Sequence, residues 1–326
     1  AQKMMKFANL LRTFERKEDA AEWMGKSLAK NPSLFLQNYW EYLNFYQEIG
    51  QEKQLLEFLK GIDIKMLMQQ SHSFAYCMRE LMRKEETKDE ARKLFDEFWE
   101  GKDLSDNERQ NLRQSLISNM MWNPDAEFYP YFASVVYEAV TPVEAEKPQT
   151  PRRGSRQTVA YQRQSVHGVN SWSQDDAKSI SGAFLDMAQN ADKLDEVREK
   201  AAEIVAKHEE IEESKRDRNR YVDAKILEAL VAFKQDRVED GLAIVDQLRK
   251  DTFLTEYFNQ QHLAGVSLAM AMEKSDHPHA IELAIEFYEK ASPSHQGSYV
   301  SQFFESRLIL LYLKSGNRGK GIQNAL

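Results

Sequence analysis

The densest set of potential metal ligands in the chain is His277-Pro278-His279 with Asp276 beside it. Imidazole and carboxylate are zinc ligands, and a hydrolytic centre would need at least three of them to converge. Here they sit on an irregular turn, without the i, i+4 spacing of an HExxH helix and with no fourth ligand nearby. The turn reads as structural and no metal is assigned, a helical hydrolase centred on His277 and His279 being the enzyme alternative. The run from Ser315 to Gly321 (SGNRGKG) has the glycines and lysine of a phosphate loop. It lacks that loop's earlier glycine, its Ser or Thr after the lysine and its preceding strand, Lys314 and Gly321 standing in those places. It reads as an inter-helix turn. Cys77 is the single cysteine, inside an apolar helical run, so an intrachain disulfide and a cysteine zinc site are both excluded and a buried thiol is expected. The histidines at 72, 167, 208, 262 and 295 are scattered, and the carboxylates fall mainly on polar helix faces. No catalytic residue and no cofactor follow from these patterns, and a non-enzyme is expected.

A second kind of chemistry is recognition. Residues 34 to 48 (LFLQNYWEYLNFYQE) carry Phe35, Tyr39, Trp40, Tyr42, Phe45 and Tyr46, more aromatics than one helix face holds. Rings at helical spacing belong first to a core. Those with a polar tip also suit interfaces, where they combine large apolar area with a hydrogen bond. The residues expected to contact a protein or peptide partner are Asn38, Tyr39, Tyr42 and Tyr46 in the N-terminal part, with Tyr257, Gln261 and Tyr299 in the C-terminal part.

The elements that must position them are helix pairs. From residue 221 onward an apolar-periodic run, a polar turn and a second apolar-periodic run recur three times. The first helices are YVDAKILEALVAF, EYFNQQHLAGVSLAMAM and YVSQFFESRLILLYL; their partners are DGLAIVDQL, HAIELAIEFYEKA and GKGIQNAL. The positions Gly241, Ala280 and Gly321 are 39 and 41 residues apart, a period that signals a stacked helical array.

The same reading runs through the N-terminal part. Residues 4–14 and 19–30 pair across ERKE, and Asn31-Pro32 stops the second helix, proline disfavouring helical geometry in its predecessor and asparagine tolerating a left-handed cap. Residues 34–48 pair with 51–60, and 64–83 with 88–99, closed by Gly101. Ser105 and Glu108 form a capping-box signature for a helix to about Met121, and Asp125 opens another to Val140.

The first pair resembles a tetratricopeptide repeat. Small Ala8, apolar Leu11, small Ala20 and terminating Pro32 fall where that family places them, with Met24 in place of its aromatic and Ser27 in place of its late alanine. Ala284, Tyr288 and Ala291 repeat the spacing, with Pro293 slightly early. The resemblance implies a scaffold in which small residues at helix crossings let backbones approach, and it carries no ligand with it.

Residues 141–174 break the pattern with three prolines, many Ser, Thr and Gln residues, and Arg152, Arg153, Arg156 and Arg163. Too little apolar area is present to offset the entropy of ordering them, so a polar basic linker or loop is expected, with Ser155 and Thr158 as positions where phosphorylation would change the charge. Net charge is −4 over 1–140, +3 over 141–174 and −7 beyond, −8 in all. The acidic arrays disfavour nucleic acid. A helical pattern resumes at Asp175, and the run KLDEVREKAAEIVAKHEEIEESKRD reads as a long helix with a solvated charged end.

In a chain of 326 residues with 13 Gly and 8 Pro, these readings give an all-α fold, a right-handed tetratricopeptide-like superhelix of seven or eight irregular pairs. Its expected parts are a helical array at 1–140, the linker at 141–174 and a second array at 175–326. The expected function is a non-catalytic scaffold that binds a peptide or partner domain on a concave face lined by first helices. The alternative is a structural or regulatory segment of a larger enzyme or sensor, since the chain starts at Ala1 and stops within a helical pattern. No long apolar run suggests membrane insertion, and a soluble, cytoplasmic setting is the expectation.

Overall fold

The computed structural model describes residues 1–63, 65–66, 71–122, 124–143, 165–173, 176–250, 257–258, 261–295 and 300–325. They are mostly helical and divide into two units, Ala1–Met120 and Met121–Leu326. The first unit holds α1 (Gln2–Thr13), α2 (Lys17–Lys30), α3 (Ser33–Ile49), α4 (Glu52–Lys60), α5 (Ser71–Met82), α6 (Lys88–Glu100) and α7 (Asp106–Met120). The second holds α8 (Tyr129–Val140), strands β1 (Val169–Trp172) and β2 (Ala177–Ser179), α9 (Ile180–Asn190), α10 (Leu194–Glu209), α11 (Arg218–Lys234), α12 (Val238–Arg249), α13 (His262–Met272), α14 (Pro278–Ala291), α15 (Ser301–Lys314) and α16 (Arg318–Ala325).

One turn joins five of the helix pairs. In each, a single residue adopts left-handed geometry: Glu15 (φ 58°), Gly50 (69°), Asp192 (56°), Asp236 (58°) and Gly316 (77°). The amide of the next residue reaches the carbonyl five residues back, as in Arg16 to Leu11 (3.1 Å), Lys193 to Ala188 (2.7 Å) and Arg237 to Ala232 (2.9 Å). This pairing satisfies carbonyls that a helix end leaves orphaned. A new helix begins two residues after the left-handed one every time. Three of the five positions carry an acidic residue where glycine is the strain-free choice.

Packing follows chain order. Neighbouring helices contact as pairs, and alternate helices also touch: α3 with α5, α9 with α11 and α11 with α13, and, on the other side of each pair, α2 with α4, α4 with α6 and α12 with α14. Side chains tie the same layers. Asn9 donates to Glu41 at 3.0 Å and Arg12 pairs with Glu48 at 2.6 Å, both from α1 to α3, while Arg249 of α12 pairs with Glu286 of α14 at 2.7 Å. The small residues Ala8, Ala20, Ala280, Ala284 and Ala291 are all fully buried, so no large side chain separates the helices there.

Several expected boundaries hold in detail. Gly50 and Gly101 are left-handed caps, and the Ser105–Glu108 box forms, the Ser105 amide donating to the Glu108 carboxylate at 2.9 Å and the Glu108 amide to the Ser105 hydroxyl at 3.4 Å. Other expectations are corrected. Asn31 is extended (φ −155°), not left-handed. Residues 177–179 are a strand, and the helix starts only at Ile180, because the Ser179 hydroxyl accepts from the Gly182 amide and caps it. The long charged helix ends at Glu209: Arg216 folds back onto the carbonyls of Glu209 and Ile211, and Asp217 caps the next helix through the Arg220 amide. Of the supposed linker, 144–164 and with it the arginines, Ser155 and Thr158 lie outside the described residues. Ser165, Val166, His167 and Val169 are buried parts of the second unit. Helix α8, which the sequence places in the first array, packs on α9 and α11.

Candidate functional site

A cleft of about 550 Å³ opens on the second unit, lined by residues of β2 and of α9, α11, α13 and α15. Except for the strand, these are the first helices of successive pairs. Its apolar surface comes from Leu185, Leu230, Phe233, Met270, Ala271 and Leu310. Leu310 is 56% exposed, which is unusual for a leucine that lines a concavity. Phe233 is held from behind by Gly241 of α12, where a methyl group would come within 2.8 Å of the ring. Glycine at that position lets α12 lie directly against the aromatic wall.

Charge sits around this apolar surface. The Asp186 carboxylate receives Lys234 at 2.7 Å and Lys178 at 3.4 Å, so two ammonium groups share one partner; Asp176 also reaches Lys178 at 3.4 Å. On the α13–α15 side, Arg307 pairs with Glu273 at 3.0 Å, and Tyr288 donates to the same carboxylate at 2.8 Å. Burial holds the Glu273 carboxyl above the usual range despite that arginine. With Lys274 and Lys314 counted, the cleft has five cations against Asp176, Asp186, Asp236 and Glu273, an excess of one in a chain whose net charge is −8.

Beneath the β2 wall lies a buried polar network. Ser165 donates to Asp223 Oδ1 at 2.6 Å, the Tyr257 hydroxyl donates to the same oxygen, and His167 Nε2 lies 2.8 Å from the Asp223 carbonyl. Ser267 of α13, which also lines the cleft, donates to the His167 carbonyl. A carbonyl can only accept, so Nε2 carries the imidazole proton and Nδ1 is left without a hydrogen-bond partner. Serine, histidine and aspartate thus meet, but not as a hydrolytic triad: the serine proton points at the aspartate, and the imidazole proton at a main-chain oxygen. Burial lowers the His167 pKa, with Asp223 opposing it, and drives the Tyr257 phenol well upward. The network therefore anchors the ribbon and has no activated nucleophile. The bonds to Asp223 and Ser267 span 34 to 100 residues of sequence, so no local motif marks the network.

The residues expected to bind a partner are dispersed. Tyr42 (0% exposed), Tyr46 (1%) and Tyr257 (2%) are core side chains with no surface to offer. Tyr39 and Asn38 are half-buried on α3; Asn38 has non-helical geometry (φ −130°, ψ 32°) and kinks the helix. Tyr39 packs on Tyr76, as does exposed Trp40, with centroids at 5.6 and 5.1 Å, while the Arg79 guanidinium covers Tyr76 at 4.4 Å. Gln261 accepts from the Ser165 amide at 3.2 Å and so belongs to the anchor. Tyr299 lies outside the described residues. The cleft residues Lys178, Lys234, Leu310 and Arg307 were not singled out by sequence, because aliphatic and basic residues on helices carry no signal of which face is concave.

The chemical candidates resolve into contacts. His279 Nε2 of α14 faces Asp246 at 2.9 Å and His277 Nε2, just before that helix, faces Glu239 at 3.0 Å, so each meets a separate carboxylate of α12. Among the described residues no group of three histidine, cysteine or acidic side chains is placed to hold a metal ion. Cys77 is buried, which pushes its thiol up and away from the reactive thiolate. Of the Ser315–Gly321 run, Ser315–Asn317 make the turn at left-handed Gly316 and Arg318–Gly321 open α16. Among the described residues no helix is long and apolar enough to cross a membrane. No protein-family model, curated protein or solved structure matches the chain.

Proposed function

We propose that the protein is a non-catalytic interaction scaffold, each unit a right-handed, tetratricopeptide-like stack of helix pairs, and that the cleft of the second unit takes a peptide segment of a partner. The observation that carries this reading is the cleft itself: first helices on either side, an apolar bed with an exposed leucine, and cations in excess around it. The recurrent turn and the contacts between alternate helices support the stacked architecture. A groove of this kind gains affinity from apolar side chains seated between helices and orientation from a few polar groups. The segment it suits has an acidic residue, to meet Lys234 and Lys178, next to apolar ones.

A randomised twelve-residue peptide library selected on the full chain tests this, with Leu310→Asp as the counter-selecting protein. Leu310 is exposed, so the substitution alters the cleft without opening the core. Enrichment of acidic–apolar peptides that the variant fails to retain is the expected result. Peptides without an acidic preference would keep the groove and remove its charge reading; absence of any enrichment dependent on Leu310 would remove the groove.

A further inference from the structure

The ribbon β1–β2 is out of keeping with its surroundings. It is the sole sheet among the described residues, seven residues in two strands, and two strands alone are at best marginally stable in water. Its position therefore depends on what it is fastened to. On one side β2 contacts α9 and runs into it through the Ser179 cap; on the other, β1 contacts α13. Trp172 at the end of β1 packs on Phe303 and Phe304 of α15, centroids 5.4 and 5.6 Å away, and Trp122 donates to the Ser171 hydroxyl at 2.6 Å. The approach to β1 is fixed by the Ser165–His167–Asp223–Tyr257–Ser267 network, all of it buried.

From this arrangement we infer that the network is a proton-sensitive latch whose positioning residue is His167, and that it holds the β2 wall of the cleft in place only while the imidazole is neutral. The imidazole is fully buried, and its one proton is committed to the Asp223 carbonyl. A second proton would go to Nδ1, which has no acceptor among the described residues. The titratable groups around it among the described residues are Asp223 of α11, with Oδ1 at 4.0 Å from Nε2, and the Tyr257 phenol; α13 presents the Ser267 hydroxyl. Among the described residues Asp223 is the single attraction for a cationic ring, and its Oδ1 already accepts from Ser165 and Tyr257. Release of the ribbon places the imidazole in water, where it takes up a proton with a pKa of about 6.5.

The direction of the linkage follows. The latched state binds the proton less readily than the released one, so latching is strongest above about pH 6.5. Below that value each pH unit multiplies the ratio of released to latched ribbon by about ten, until the lowered pKa of the latched state is reached. Because Lys178 is in β2, release also withdraws a cation from the cleft. That last consequence rests on the proposed groove, whereas the latch can be read without any ligand.

The experiment is fluorine NMR of the full chain labelled with 5-fluorotryptophan, the Trp172 resonance being assigned by Trp172→Phe. Between pH 7.5 and 4.5 the docked Trp172 signal should give way to a released one while helical circular dichroism persists. His167→Gln, whose amide can still donate to the Asp223 carbonyl, should keep Trp172 docked throughout; His208→Gln should not. An unchanged Trp172 signal in the parent chain, release at the same pH in His167→Gln, or loss of helix together with Trp172 would each overturn the latch. Should His167→Gln fail to fold, Ser267→Ala decides. Removing that one hydrogen bond, worth about 1 kcal/mol, should raise the released-to-latched ratio about fivefold at every pH with the slope retained. An unaltered ratio would overturn the assignment.

Discussion

The two units are built from similar helix pairs but filled differently. The first is packed with rings: Phe74 stacks parallel to Phe95 at 6.4 Å and tilts onto Phe98 at 4.3 Å, while Phe35 meets Tyr42 and Phe58. Its buried polar groups are hydroxyls and Arg79. The second buries rings too, among them Phe132, Phe184 and Phe303, but adds many alanines, such as Ala183, Ala188, Ala224 and Ala229, and it buries two imidazoles, His167 and His208, with Asp223 and Lys225. Apolar contact is insensitive to protons, whereas buried imidazoles are not. The buried imidazoles thus tie the stability of the second unit to pH near neutrality, a dependence that the packed rings of the first do not supply.

The largest effect that would sharpen this contrast is Phe74→Ala, which removes a fully buried ring at the centre of the aromatic stack. It should cost about 3–5 kcal/mol by cavity formation, with equal loss at pH 7.5 and 5.5 in urea unfolding. A loss that grew on acidification would break the contrast.

A smaller effect belongs to His208 of the second unit. Its Nε2 donates to the Val140 carbonyl at 2.8 Å, Nδ1 has no hydrogen-bond partner, and burial, aided by Arg216 and Arg220, lowers its pKa. The folded value lies below the unfolded one, so its contribution is complete above about pH 6.5 and is lost as pH falls toward the folded value. The loss should amount to about 1.4 kcal/mol per pH unit between the two. Hydrogen exchange resolved by peptide should show protection across 121–326 falling between pH 7.5 and 5.5, after correction for intrinsic rates, while 1–120 stays level. His208→Gln should reduce that fall.

The smallest expected effect concerns what the units share. Asp236→Gly and Glu15→Gly place glycine at left-handed positions of the common turn, one in each unit. Each should stabilise by about 0.5–1 kcal/mol, visible as a rise in melting temperature. A gain in one unit alone would show that the turns are not equivalent.

Much of this framework is legible in sequence because it is written locally. Apolar spacing, Gly50, Gly101 and the Ser105–Glu108 box act over a few residues, and they gave the helices of both units. Left-handed Glu15, Asp192 and Asp236 were hidden, since the tertiary crossing of the pair imposes a geometry that their side chains do not prefer. The ribbon was hidden for another reason. The segment from Val166 to Ser173 is polar and short, and its burial comes from partners on α11, α13 and α15. Tyr42, Tyr46 and Tyr257 have the chemistry of interface residues but serve the fold as filling, whereas the lysines and leucines that line the cleft carry no local signal.

Helix α8 is completed late in synthesis. Its final carbonyls are closed by side chains from far ahead in the chain: His208 reaches Val140 across 68 residues, and Arg220 reaches Glu138 and Thr141 across 82 and 79 at 2.7 and 2.9 Å. A ribosome adding about 5–20 residues per second needs roughly 4–16 seconds to supply them. During that interval α9 is made first and covers part of α8, while the part that α11 covers stays open until Arg218–Lys234 has been made. The nascent second unit would therefore be a client for chaperones until Arg220 emerges, whereas the first unit, whose contacts are nearer in sequence, can be finished while the second is still being made.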